Sequence, residues 1–287
     1  MALRRKKTLV ALTAIGALAL AGCGDGGGET GEGGDGEVLT IGIANEQPYG
    51  YMDDAGNATG FAPDVAREVL SNLGYGEPEF EVVEFGNLIG GLQAQQFDMV
   101  AAGMYINEER LAQIQFSDPD YCTTESLAVP EGNPEDIVDY STFADNSDLT
   151  IAVASGTVEV GYAEEAGVGE DQIKSFPGID QMYQALEAGE VDAVTGTAAT
   201  VNGQIAGRDG LEAVEPFFPK DVEGNETLPC GGYGFRLDDT EFRDEFNEEL
   251  NKLREDGTTM EIITSYEGFE DADVELANDL TVADFEE

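Results

Sequence analysis

The sequence predicts an α/β protein built as two lobes around a cleft. Three observations carry this reading. Strand and helix signals alternate from Val38 to Ala102. The same alternation starts again at Thr150 and runs to Ala206. A glycine-rich strand at Gly232 to Arg236 then returns the chain to a long acidic helix. A chain that builds one α/β cycle, crosses, builds a second and comes back leaves a gap between the two, and such gaps are where ligands bind.

The elements follow in order. Val38 to Ala44 (VLTIGIA) is an apolar strand, and Asp53-Asp54-Ala55-Gly56-Asn57 is a hairpin tip. A helix begins near Pro63, with Ala62, Val65, Ala66, Val69, Leu70 and Leu73 on one face and Gly74 closing it. Phe80 to Phe85 is a strand, Leu88 to Phe97 a helix and Met99 to Ala102 a buried strand. In the second cycle, strands at Ile151–Ala154, Ile173–Phe176 and Val191–Thr195 alternate with helices at Val158–Ala166, Gln181–Ala188 and Thr197–Ala206. Helices at Glu241–Asp256 and Met260–Tyr266 end the fold, and the acidic tail beyond Phe269 is expected to fray.

At 287 residues the chain fills one or two domains. Its 60 acids against 13 bases give a formal charge of −47, which excludes nucleic acid as a partner. So much acid reads as a solvated surface suited to a salty habitat; a calcium store or an acidic interaction surface is the other reading, although no EF-hand spacing occurs. Histidine is absent, so Ser-His-Asp, Cys-His and histidine-ligated metal chemistry are excluded. No metal or cofactor is expected.

The N-terminus reads as an export signal over residues 1–22: Arg4-Arg5-Lys6-Lys7, an apolar run from Leu9 to Ala21 too short to span a bilayer, then small residues. Leu20-Ala21-Gly22-Cys23 resembles the bacterial lipobox, which implies cleavage before Cys23 and a lipid on its sulfur; an ordinary signal peptide with an incidental cysteine is the alternative. Removing residues 1–22 takes away four positive charges and no acid, moving the charge from −47 to −51. Residues 23–37, mostly glycine with a few acids, form a flexible tether. Cys122 and Cys230 then remain as an even pair in an exported protein and read as a disulfide, with two buried free thiols as the alternative. Closing so long a loop is worth roughly 4–5 kcal/mol on the chain-entropy model.

The block from Leu88 to Tyr121, LIGGLQAQQFDMVAAGMYINEERLAQIQFSDPDY, places Arg110 in the first turn of a helix, three residues after the capping Asn107. A guanidinium fork there favours a carboxylate. The block resembles the extracellular solute-binding proteins of family 3, which serve ABC importers, and the resemblance runs from about Val38 to Phe269. It implies a type II periplasmic-binding-protein-like fold: lobe one over 38–126 and 231–287, lobe two over 127–230, each a mostly parallel sheet flanked by helices. Two crossing strands near 122–129 and 230–235 form the hinge and bring Cys122 near Cys230. It also implies a non-enzymatic, monomeric protein that hinges shut on a solute and delivers it to ABC permease subunits. Such a protein would be held at the outer face of the cytoplasmic membrane by its lipid alone.

The segments Asn45 to Met52, Gly60-Phe61-Ala62-Pro63-Asp64, Phe85-Gly86-Asn87-Leu88 and Ala101 to Ile106 are similar to those of family members that bind the compatible solutes ectoine and hydroxyectoine. Ectoine is a ring bearing a carboxylate and a delocalised cation, so it suits an arginine, a carboxylate and aromatic walls. The resemblance assigns Arg110 as carboxylate clamp, Glu46 as cation partner and Tyr49, Phe85 and Tyr105 as an aromatic box, with Ser155, Thr157 and Thr197 as contacts from the second lobe. Amino-acid binders of the family carry an aspartate where this chain has Thr197, which lowers the case for an α-amino acid. Each residue also has a plainer role open to it: Arg110 as a surface residue, Glu46 as one more solvated acid, the rings as core, the threonines as caps, with Tyr51 and Met52 expected to pack. A binder of polar or charged amino acids, and a dehydratase-like enzyme on the same fold, are the competing readings.

Overall fold

The computed structural model describes residues Gly36 to Glu286. The predicted export signal, Cys23 and all but the end of the predicted tether lie outside them.

The chain opens with β1 (Thr40–Ile43), then a small hairpin, β2 (Tyr51–Met52) and β3 (Ala58–Thr59). The Asp53 carboxylate closes the hairpin tip by accepting from the Ala55 and Asn57 backbone N–H groups at 2.9 and 2.8 Å. Helix α1 (Phe61–Asn72) buries Ala62, Val65, Ala66, Val69 and Leu70 of the face its spacing predicts and Phe61 besides, while Leu73 is only half-buried. After β4 (Glu79–Val82) the chain makes a 3₁₀ turn at Phe85–Asn87 and a short helix, α2 (Leu88–Gln93). Strand β5 (Met99–Tyr105) runs three residues beyond the expected Ala102, and α3 (Glu108–Leu111), β6 (Gln115–Phe116) and β7 (Tyr121–Cys122) complete this part.

The second part begins with β8 (Glu125–Pro130) and α4 (Tyr140–Asp145). It continues through β9 (Ile151–Ala154), α5 (Glu159–Glu165), β10 (Ile173–Phe176), α6 (Ile179–Glu187), β11 (Ala193–Thr197), α7 (Ala198–Ile205) and β12 (Leu211–Ala213). The return strand β13 (Cys230–Phe235) leads to α8 (Thr240–Asp256), α9 (Thr258–Thr264) and α10 (Asp271–Glu275).

Besides the small β2-β3 hairpin, the described residues form two larger sheets, ordered β4-β1-β5-β13-β6 with β7 also on β13, and β10-β9-β11-β8-β12. The parallel strands predicted by the α/β alternation are β4-β1-β5 and β10-β9-β11. The strands at the lobe crossings, β8 and β13, run antiparallel to their neighbours, so each sheet is mixed rather than uniformly parallel. This is the two-lobed α/β architecture the sequence predicts. Each lobe has its own apolar core: one gathers α1, α8 and α9 around Ile41, Met99 and Phe246, and another packs Leu127, Tyr140, Phe143 and Ile151.

At the crossing, β7 and β13 pair with Tyr121 opposite Gly231 and Cys122 opposite Cys230. Cys122 and Cys230 are joined as a disulfide that closes a loop spanning 108 positions.

The tail departs from expectation. Beyond Phe269 it does not fray but folds back on the first lobe. Val274 and Ala277 are buried, and Ala277 sits with Cys122 and Cys230, flanked by Leu228, Leu280 and Phe285. Arg254 donates to the carbonyls of Ala277 at 2.5 Å and Leu280 at 3.3 Å. The Val282 N–H donates to Asp118 Oδ1 at 2.9 Å. Acidic composition alone points to a solvated tail; the apolar residues and the capping pairs Glu270/Asp273 and Thr281/Asp284 decide otherwise.

Candidate functional site

Arg110 is fixed first by its own helix. Asn107 caps α3, its Oδ1 accepting from the Arg110 N–H at 2.9 Å. The side chain then turns inward and is 6% exposed. Nη1 donates to the Tyr105 carbonyl at 2.7 Å, and Nη2 crosses to the other lobe to donate to the Gly156 carbonyl at 3.1 Å. The guanidinium lies 5.3 Å from the centre of the Phe85 ring. Among the described residues no carboxylate is within ion-pair distance of it. Two of its five N–H groups hold backbone; the rest are free for an anion.

Arg110 lines a small cavity of about 30 Å³ together with Glu46, Tyr49, Phe85, Tyr105, Thr157, Glu159 and Thr197. A larger cavity of about 540 Å³ adjoins it and shares Glu46, Phe85, Thr157 and Glu159. The structure thus brings every ligand residue expected from the sequence, except Ser155, to one place. Ser155 is exposed and lines neither cavity. Tyr51 and Met52, expected to pack, line the larger cavity, and Met52 is 36% exposed.

The aromatic residues serve core and cavity at once. Tyr49 packs against Phe61, Tyr121 and Phe269 with ring centres 5.4, 5.7 and 5.5 Å away. Its hydroxyl is buried and has no hydrogen-bond partner. Tyr105 ends β5, and its hydroxyl donates to Glu125 Oε1 at 3.3 Å.

A chain of hydroxyls joins the lobes at the acidic side of the cavity. Thr197 caps α7 by accepting from the Thr200 N–H, and donates from its hydroxyl to Thr200 Oγ1, both at 3.1 Å. Thr200 Oγ1 in turn donates to Glu46 Oε1 at 2.8 Å. Burial pushes the Glu46 carboxyl up to about 7; the Thr200 bond opposes this and the neighbouring Glu159 adds to it. Burial likewise lowers the Arg110 guanidinium from its usual value, with Glu159 opposing.

The lobes also meet backbone to backbone. A Cβ on Gly156, which has φ +84°, would lie 2.6 Å from Gly86 Cα, and one on Gly86 would lie 2.8 Å from the Ser155 carbonyl oxygen. Only glycine at both positions permits this approach.

Three residues escaped the sequence reading. Glu159 begins α5, is 7% exposed and leaves Oε2 without a partner. Glu125 is fully buried behind the cavity. Thr200 carries the link to Glu46. Thr200 was accessible from its place three residues after the capping Thr197. The two glutamates were not, because among 60 acids nothing local marks them. Cleft carboxylates therefore outnumber the single guanidinium, and the site is built to receive positive charge beside a carboxylate anchor.

These features define a two-lobed solute binder, and comparison with known proteins agrees. The chain belongs to the bacterial extracellular solute-binding proteins, family 3, whose sequence profile matches residues 39–269. It is a solute-binding protein of an ABC importer, a class that works outside the cytoplasm, and no helix among the described residues is long and apolar enough to cross a membrane. A probable amino-acid ABC transporter periplasmic-binding protein of Sinorhizobium fredii is 33% identical over 231 residues, covering 79% of this chain and 76% of that protein. The lysine/arginine/ornithine-binding periplasmic protein of Escherichia coli is 28% identical over 240 residues, covering 81% and 88%. Among solved structures, EhuB in complex with hydroxyectoine is similar with a TM-score of 0.77 and 34% identity, over 86% of this chain and 93% of that one.

Proposed function

We propose that this protein captures ectoine or hydroxyectoine outside the cytoplasm, closes its lobes on the solute and passes it to ABC permease subunits, tethered to the membrane through a lipid on Cys23. One observation carries the reading: Arg110 faces the same cavity as Glu46 and Glu159, and Tyr49, Phe85 and Tyr105 wall it. That set matches a compact zwitterion whose cation is delocalised and flat. The likeness to a hydroxyectoine-binding protein supports it. So does the hydroxyl of Thr197 in place of a carboxylate, since a localised ammonium in a closed cleft needs a negative partner. About 30 Å³ holds little more than water, so a ring-sized solute would draw on the adjoining space.

A second reading, a receptor for a basic amino acid, is favoured by the excess of cleft carboxylates and by relatives that bind lysine, arginine and ornithine. Isothermal titration with ectoine, hydroxyectoine, arginine, glutamine and glycine betaine separates the two. Ectoine and hydroxyectoine should bind at least about tenfold more tightly than the others, a difference of roughly 1.4 kcal/mol; tighter binding of arginine would replace the proposal with the second reading, and tighter binding of glutamine or glycine betaine would refute both.

A further inference from the structure

Glu125 is the first residue of β8, where the chain enters the second sheet, and its side chain is fully buried. The main chain holds it in place: it pairs with Thr197 across β8 and β11, and exchanges 2.9 Å hydrogen bonds with Phe217 in both directions. Its Oε1 accepts from the Tyr105 hydroxyl, which belongs to the first sheet. Its Oε2 is buried without a partner. The carboxyl thus sits behind two walls of the cavity, Tyr105 from one lobe and Thr197 from the other, at the seam between them.

The carboxyls around it share its own sign. Glu46 and Glu159 face it from the cavity, and Tyr49, Tyr105, Tyr121, Tyr140 and Tyr162 surround it with phenols. Arg110 spends two of its donors on the Tyr105 and Gly156 carbonyls and makes no ion pair with Glu125, and no cation among the described residues lies within ion-pair distance of that carboxyl. An unpaired carboxylate in such surroundings is far more costly than a neutral acid. A net-neutral zwitterion brings nothing to offset it.

We propose that Glu125 is a positioning residue of the ligand site that works as a neutral carboxylic acid, fixing the Tyr105 hydroxyl from behind and leaving Glu46 and Glu159 as the carboxylates that line the small cavity. The inference deepens the zwitterion reading and rests on it. It lowers the number of carboxylates that act on a bound cation from three to two. Burial, Glu159 and Glu46 all push the Glu125 carboxyl upward, against the bond from Tyr105.

Two measurements test this on the whole protein. Infrared difference spectra between the ligand-free wild type and Glu125→Gln at pH 7 should show the C=O stretch of one buried protonated carboxylic acid, lost in the variant; a lost carboxylate band instead overturns the proposal. Titrating ectoine, Glu125→Gln should stay within about threefold of wild type because it mimics the neutral acid, whereas Glu125→Ala should bind about tenfold more weakly. Loss of more than tenfold in Glu125→Gln, or an unchanged Glu125→Ala, overturns it. The infrared signal needs no ligand, so a protein that shows the acid band yet ignores ectoine refutes the proposed function and not the protonation. Should Glu125→Gln fail to fold, wild type carrying ¹³C at its glutamate carboxyls must keep one carbon at the neutral-acid shift at pH 8, and its absence overturns the proposal.

Discussion

At the scale of single residues, Arg110 carries most of the proposed function. It anchors backbone of both lobes and leaves free donors facing the cavity. Arg110→Ala removes the anion partner and one inter-lobe bond together, so ectoine binding should weaken by about 3 kcal/mol or more, on the order of a hundredfold in Kd. Titration calorimetry checks this, with thermal melting confirming that the fold survives; wild-type affinity in that variant would remove Arg110 from the site. Arg110→Lys should recover little, because an ammonium cannot reach two carbonyls and a carboxylate in one plane. Arg110 was legible because its signal is local: a capping Asn107 followed by one base in an acid-rich stretch. Glu125 was illegible for the opposite reason. Its partner, Thr197, is 72 positions away and reaches it only through strand register.

At the scale of elements, the sequence located strands best where turns flank them tightly. Ile151–Ala154 and Ile173–Phe176 appear at the bounds expected. The helix from Leu88 was expected to reach Phe97 but ends at Gln93, since Gly90 and Gly91 weaken it and Gln95 adopts φ +58°, which turns the chain so that Phe97 can enter the core. The tail was misjudged because its composition was weighed above its few apolar residues. Its attachment runs through Asp118, which accepts from Asn247 at 2.9 Å, Asn251 at 2.8 Å and the Val282 N–H at 2.9 Å. Burial raises the Asp118 carboxyl, but these bonds and Arg254 outweigh it and hold it below the usual range. Asp118→Ala strands three donors and should destabilise the protein by about 2–3 kcal/mol. It should also release the tail from the disulfide. Urea unfolding and the rate of disulfide reduction both report on this; an unaltered midpoint would mean that the tail is held elsewhere.

At the scale of the whole molecule, acid chemistry sets the response to pH. Burial pushes Glu46 and Asp120 up to about 7, the latter against a 2.8 Å bond from the Tyr233 hydroxyl. Between about pH 4 and 7 the folded chain therefore holds protons that the unfolded chain has released. Stability must rise as pH falls through that window, by up to about 1.4 kcal/mol per unit for each group. Below it, Asp118 works the other way: held low in the fold, it loses its contribution as it protonates. Melting temperatures of the ligand-free protein should climb from pH 8 to pH 5 and fall again below about pH 4. A flat profile from 8 to 5 would mean that these carboxyls are not perturbed.

If the lobes close on a solute as proposed, the contact of Gly86 with Gly156 would set where that closure ends. Because main chain meets main chain there, the lobes would stop against each other and not against their cargo, and the chamber would have a fixed gauge. A solute too small would leave slack, and one too bulky would prop the jaws ajar. A permease that senses the spacing between lobes would then sort cargo by fit without touching it.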